Sequence, residues 1–332
     1  MDAQLDLFSA QNRTCMVGSV LSAGDLLNPD SLAERDDLIK ASPMSTSRKK
    51  APLEEPASKD VVAPSLTTTH GMLFKADCLD LFSAIRSDSI DTIFADPPFN
   101  LKKEYRNGFK DDWKDTDYLD WCFRWIDECL RVLVPGGALF IYVLPRWAYH
   151  FAAHLDGPME FRHWIALSMK GTFPRGQKLY PAHYALLYFT KGKPRAFNRV
   201  RVPIPACRHC GGDLKDYGGH RKFLNPEGLN LTDFWEDTSP NRHRNSKARP
   251  GVNELKPMIP SRAIEISTNP EDIVLDPFGG GGSTYQEAQR LGRYWIGSEL
   301  GHCDAIEQRF RTFAPTTIGR KPPRKVVSAL LT

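Results

Sequence analysis

The chain has 332 residues, 41% of them hydrophobic and 25% charged, enough apolar material for a full core and unlike a fibrous or wholly disordered protein. Its 44 Lys and Arg against 40 Asp and Glu leave a net charge of +4, too small by itself to indicate a nucleic-acid partner. The seven cysteines are mostly dispersed, unlike a disulfide framework, and no run of apolar residues is long enough to span a bilayer, so the chain reads as soluble, cytoplasmic and without a membrane partner.

Residues 1–70 are rich in Ser, Pro, Asp and Lys, and Phe8 is their only aromatic, so they read as a disordered N-terminal tail. From Gly71 the texture changes. Strands are expected at 72–75, 92–95, 138–142, 164–168, 185–189, 273–275 and 295–297, with helical patterns between several of them. One such pattern runs from Asp117 to Leu133, with an apolar stripe expected at Leu119, Phe123, Ile126, Leu130 and Leu133. Strands alternating with helices predict an α/β fold: a mostly parallel sheet with helices on both faces.

Residues 191–250 interrupt that rhythm. They carry 13 Lys and Arg against 6 Asp and Glu, a surplus of seven that exceeds the net charge of the whole chain. A basic insert in an otherwise mildly acidic α/β protein is expected to face a polyanion. The expected organisation is therefore 1–70 tail, 71–190 first half of the main domain, 191–250 basic insert, 251–318 second half, and 319–332 basic C-terminal tail.

Two stretches carry chemistry. In "DTIFADPPFN" an apolar strand ends at Asp96, followed by Pro97, Pro98 and Phe99. Neither proline has an N–H, and both fix φ, so the turn presents acceptors without competing donors. In "VLDPFGGGGSTYQEAQRLGRYWIGSEL" a strand ends at Asp276, a glycine run follows, a helix opens near Ser283, and a second strand ends on Glu299. That is a nucleoside-cofactor geometry, with glycines for close backbone approach and the later acid for ribose hydroxyls. A dinucleotide fingerprint starting at Gly280 would need glycine where Tyr285 stands, and a phosphate loop would need Lys where Gly282 stands. A cofactor without phosphate fits better, S-adenosylmethionine above all.

Together these stretches resemble the DNA amino-methyltransferases, whose signatures are a D/N/S-P-P-Y/F catalytic motif and an F-x-G-x-G cofactor motif. Here they are Asp96-Pro97-Pro98-Phe99 and Phe278 with Gly280 and Gly282, within a likeness covering about residues 71–315. The catalytic motif precedes the cofactor motif, the order of the β group, with the basic insert where that group carries target recognition. The resemblance implies a circularly permuted Rossmann-like methyltransferase fold and transfer from S-adenosylmethionine to adenine N6 of a flipped base in double-stranded DNA. Cofactor contacts implied by it are Asp77 and Cys78 on the adenine side, then Asp276, Pro277, Phe278, Gly280, Gly282, Ser283, Thr284 and Glu299, with Lys256 near the methionine end. Cytosine-N4 DNA or RNA adenine methylation are the alternatives within enzymes, and a catalytically silent DNA-associated protein is the alternative outside them.

Physically, an exocyclic amine is a poor nucleophile because its lone pair is delocalised into the ring. Asp96 and the Pro97 carbonyl can each accept one of its hydrogens and draw it toward tetrahedral geometry, while Phe99 offers a stacking face to the extruded base.

Three further signals are weaker. Cys207 and Cys210 form a C-x2-C half of a zinc site, with His220 and either His243 or His209 as partners, against a plain glycine-stabilised turn. Arg242, His243, Arg244 and Lys247, beside Phe234 and Trp235, are candidate DNA contacts, although the two aromatics would equally serve as the insert's own core. Gln4-Leu5-Asp6-Leu7-Phe8 resembles the pentapeptide by which bacterial DNA-processing proteins dock on the replication sliding clamp.

Overall fold

The computed structural model describes residues 63–102, 111–169, 179, 181–204, 206, 210–213, 215–219, 221–238 and 255–331. The clamp-like pentapeptide, the metal candidates Cys207, His220 and His243, and the DNA candidates Arg242, Arg244 and Lys247 lie outside the described residues.

The framework is a nine-stranded sheet of β1 (Leu66–Thr67), β2 (Gly71–Phe74), β3 (Ile90–Ala95), β4 (Leu133–Val143), β5 (Glu160–Ser168), β6 (His183–Thr190), β9 (Phe234–Trp235), β10 (Ile273–Asp276) and β11 (Tyr294–Ser298). Their spatial order is β1-β2-β11-β10-β3-β4-β6-β5-β9. The five strands from β2 to β4 in that order are mutually parallel, and β6 runs antiparallel between β4 and β5. Around the sheet lie α1 (Cys78–Ser83), α2 (Asp115–Val132), α3 (Pro145–Leu155), α4 (Met258–Ser267), α5 (Ser283–Arg290), α6 (Asp304–Phe313) and α7 (Arg324–Ser328). Each of the seven expected strands is present.

The central strands are apolar throughout because both faces are covered. All six residues of β3 are buried, including Ile90, Ile93, Phe94 and Ala95. β2 and β11 pair Gly71 with Trp295 and Phe74 with Ser298, so the first main strand sits beside one made more than two hundred positions later, as the permuted order requires. Gly71 has to be glycine: a Cβ there would lie 2.2 Å from the Trp295 carbonyl oxygen.

The structure corrects three expectations. The buried face of α2 is Tyr118, Cys122, Trp125, Ile126, Cys129 and Val132; Leu119, Phe123 and Leu130 flank it only partly buried, and Leu133 opens β4. The face is turned by about one residue from the expected stripe, because Tyr, Cys and Trp are as burial-competent here as Leu and Phe. Residues 66–70 do not belong to a free tail, since Leu66 is buried and pairs with Leu73. Residues 319–332 are not a free tail: Val326, Ala329 and Leu330 enter the core, and Leu330 bridges to Ile85. Their helical spacing produces an apolar edge that the flanking Lys and Arg disguise in the sequence.

The described parts of the insert form a two-stranded ribbon of β7 (Arg201–Val202) and β8 (Leu229–Asn230), then β9, which lengthens the main sheet at β5. Trp235 is core, 1% exposed, and its indole N–H donates to the Thr232 carbonyl at 2.7 Å, whereas Phe234 is exposed. Of the two, Trp235 serves as core of the insert.

Candidate active site

Adjacent parallel strands release their chains at one edge of the sheet, so residues far apart in sequence come to lie side by side. In the spatial order β2, β11, β10, β3, the acids just after or at the strand ends are Asp77, Glu299, Asp276 and Asp96. Four carboxylates at neighbouring strand tips are the framework of the site.

The glycine turn between β10 and α5 is held from below. Gly280 and Gly282 have φ of +50° and +74°, the left-handed region that favours glycine, and Gly282 caps α5. A Cβ on Gly282 would lie 2.9 Å from Ile306, whereas one on Gly280 would meet only the Phe278 carbonyl oxygen, at an ordinary 3.9 Å. Tyr285, standing where a dinucleotide fingerprint would have glycine, is fully buried beneath the turn and donates to the Asp276 carbonyl at 2.8 Å. Its ring fills the space a side chain on Gly297 would need, at 2.2 Å.

Glu299 receives the Gly280 N–H at 2.7 Å on one carboxylate oxygen and the Gly301 N–H at 2.8 Å on the other. Burial pushes its carboxyl above the ordinary value, and those two N–H groups offset part of the shift. Asp276 is only 3% exposed. Burial pushes it up to about 7, the Thr284 hydroxyl and Phe278 N–H pull it back, and the Glu299 charge raises it further. Two acids strained toward protonation, under an open glycine turn, suit a cationic ligand bearing hydroxyls; the residues fit S-adenosylmethionine in that respect.

Asp77 caps α1, accepting the Leu79 N–H at 2.8 Å. Two further expected contacts, Cys78 and Lys256, are seen against other parts of the protein. The Cys78 thiol packs in the core with its pKa pushed well up by burial. The Lys256 ammonium turns to the Asp237 carbonyl at 3.3 Å, while its neighbour Leu255 accepts the Ser283 hydroxyl at 3.1 Å.

Asp96 is partly exposed at the exit of β3. Around Phe99 stand Tyr142, at 5.8 Å between ring centroids, and Tyr184, at 5.9 Å, themselves 4.9 Å apart. Burial, and then the Asp96 charge, hold the Tyr142 hydroxyl far above its usual range. Asn100 ends the turn at φ +53°, donating to the Trp113 carbonyl at 3.0 Å and accepting its N–H at 2.9 Å. Trp121 and Trp125 of α2 meet Phe278 edge-on at 5.9 and 5.2 Å, so one helix backs both turns.

Tyr142, Tyr184, Trp121 and Tyr285 escape a motif-based reading. The available signal was their position near the ends of strands or on the helix between them, which becomes informative once strand ends are known to converge. Among the described residues no group of His, Cys, Asp and Glu is arranged to hold a metal, and Cys210 is an exposed free thiol.

Residues 90–308 match a family model described as DNA methylase. The type II methyltransferase M.BamHI of Bacillus amyloliquefaciens is 48% identical over 260 residues, 78% of this chain and 61% of that protein, so the chain spans less than two thirds of that relative's length. The cytosine-N4-specific PvuII DNA methyltransferase has the same fold, with a TM-score of 0.56 at 17% identity, over 80% of this chain and 93% of its own. A DNA modification methylase of Thermus thermophilus, solved complexed with S-adenosyl-L-methionine, has a TM-score of 0.51 at 19% identity, over 75% and 98% of the two chains.

Proposed function

The chain belongs to the DNA methylase family, and on that premise we propose that it transfers a methyl group from S-adenosylmethionine to adenine N6 of a base flipped out of double-stranded DNA. The observation that carries this reading is the placement of Asp96-Pro97-Pro98-Phe99 and the glycine turn at the ends of adjacent strands, β3 and β10. When bound, the cofactor supplies an electrophilic methyl on a positively charged sulfur. Asp77, Asp276, Pro277, Phe278, Gly280, Gly282, Ser283, Thr284 and Glu299 are the residues that would hold it.

The chain's own part in transfer is orientation and charge. Asp96 and the Pro97 carbonyl accept the two amine hydrogens, which localises the nitrogen lone pair and leaves it free for in-line attack. The new N–C bond would replace the methyl's bond to sulfur, leaving a neutral thioether, and the N–H proton then lost would pass to Asp96 as base. Phe99, Tyr142 and Tyr184 surround the base with aromatic faces, offsetting the stacking lost on leaving the duplex. The basic insert, through Arg242, His243, Arg244 and Lys247, engages the phosphate backbone.

Cytosine N4 is the second reading. An enzyme of that specificity shares this fold, and cytosine N4 presents the same conjugated amine to the same two acceptors. Incubation with duplex DNA and methyl-labelled S-adenosylmethionine, then nucleoside chromatography, separates them. N6-methyladenine is expected, N4-methylcytosine would select the second reading, and no label in DNA would overturn both.

A further inference from the structure

The catalytic turn lacks the donors by which most turns brace themselves. Pro97 and Pro98 have no N–H, so the backbone here is tethered largely through its carbonyls. The Tyr118 hydroxyl of α2 donates to the Pro98 carbonyl at 2.7 Å, and the Trp147 indole N–H of α3 donates to the Phe99 carbonyl at 2.8 Å. Both side chains are 2% exposed. Their rings lie 4.7 Å apart, so each is held in place partly by the other.

Resting on the methyltransferase reading above, we infer that Tyr118 and Trp147 are positioning residues for methyl transfer, acting through the peptide planes that follow Asp96-Pro97. The pyrrolidine rings lock φ at both prolines, which leaves ψ as the rotation that swings each carbonyl. Tethering the Pro98 and Phe99 carbonyls removes that freedom downstream, and the all-buried strand β3 fixes the chain upstream. The Pro97 carbonyl lies between these fixed ends. Its direction, and with it the second acceptor for the amine, is therefore set by two side chains outside the motif.

The same helix bears on the methyl donor. α2 places Tyr118 against the catalytic turn and, one and two turns on, Trp121 and Trp125 against Phe278 of the glycine turn. It thus works as a spacer between the two reacting groups, where an error of about 1 Å costs on the order of a hundredfold in rate.

The test is Tyr118→Phe, which removes one hydroxyl and keeps the ring, with Trp147→Phe as the independent variant for the other carbonyl. Four quantities are read on full-length protein: single-turnover methyl transfer, calorimetric affinity for S-adenosylmethionine, fluorescence of 2-aminopurine at the target position as a report of flipping, and thermal melting. Each variant is expected to slow single-turnover transfer by about tenfold or more while flipping and cofactor affinity stay at wild-type levels. Should Tyr118→Phe melt early, the same comparison in Trp147→Phe decides. Wild-type transfer rates in both variants would overturn the inference, as would losses fully matched by lost flipping or cofactor binding. A wild-type protein that labels no DNA in the same assay would instead overturn the underlying reading.

Discussion

On the function proposed above, Asp276 is the residue whose ionisation would bear most directly on cofactor binding. With its carboxyl pushed up to about 7 in the free protein, it holds a proton through the mildly acidic range. A cationic ligand pairs with the carboxylate, so binding must expel that proton below pH 7. Affinity for S-adenosylmethionine is expected to fall by about tenfold per unit as pH drops below 7 and to level off above it. Calorimetry in buffers of different ionisation enthalpy would show proton release on binding, and Asp276→Asn should abolish the pH dependence along with most of the affinity. For folding the sign is opposite to that of a paired carboxylate. The folded-state pKa lies above the ordinary value of 3.8, so this group's contribution is greatest in acid and is lost as pH rises toward 7. Asp96 is separable from the cofactor. Asp96→Ala is expected to reduce transfer by at least about a hundredfold with cofactor affinity unchanged, measured by single-turnover labelling beside calorimetry. Near-normal turnover would remove it from the mechanism. Asp96 and Glu299 were legible in the sequence because a carboxylate next to Pro-Pro, or at the close of a strand after a glycine run, has few purely structural reasons to be there. Tyr118, Tyr142, Trp147 and Tyr184 were not, since an aromatic in an apolar element looks the same whether it fills a core or aims a hydroxyl.

Among the elements, strands were the easiest to read and helix faces the hardest. A strand buried on both sides, such as β3, announces itself as a β-branched run between turn residues, independent of what packs on it. A helix face is chosen by its neighbours, and α2 buries its Tyr, Cys and Trp in the core, with Tyr118, Trp121 and Trp125 reaching the two turns of the site. α7 is the sharper case. Only five residues long and opened by Arg and Lys, it is docked by Val326, Ala329 and Leu330, and the Lys325 ammonium lies 2.8 Å from the Glu271 carbonyl. Near it, the buried Asp91 and Asp272 share Arg195, and Lys325 stands 3.6 Å and 3.7 Å from the two acids. Leu330→Ala is expected to cost about 2–4 kcal/mol, read as an earlier midpoint in urea with an unchanged slope. A shift under about 0.5 kcal/mol would mean that the C-terminal segment contributes little to the core.

At the scale of the whole molecule, the sequence disclosed the permuted order of motifs; the pairing of β2 with β11 is seen only in the structure. The sequence did not disclose where the fold stops, because short apolar clusters among charges are below what periodicity can resolve. The basic insert gives a prediction at this scale. Replacing Arg242, Arg244 and Lys247 by Ala should lower the slope of log affinity for duplex DNA against log salt by about 0.9 for each phosphate no longer neutralised, with cofactor affinity unchanged; an unaltered slope would place DNA on another face. The terminal pentapeptide is testable alone: a peptide of residues 1–12 should bind purified sliding clamp near micromolar affinity, about −8 kcal/mol, and lose it when Leu7 and Phe8 become Ala.

The pairing of Gly71–Phe74 with Trp295–Ser298 also bears on how the protein is made. On the ribosome, β2 emerges early and must wait with one side unpaired until the chain beyond Ser298 has cleared the exit tunnel. The core stays open still longer, until Val326 and Leu330 arrive. Closure of this sheet therefore waits on β11, and a nascent chain halted near residue 290 should present an unsealed strand flank to the chaperones that bind exposed apolar segments.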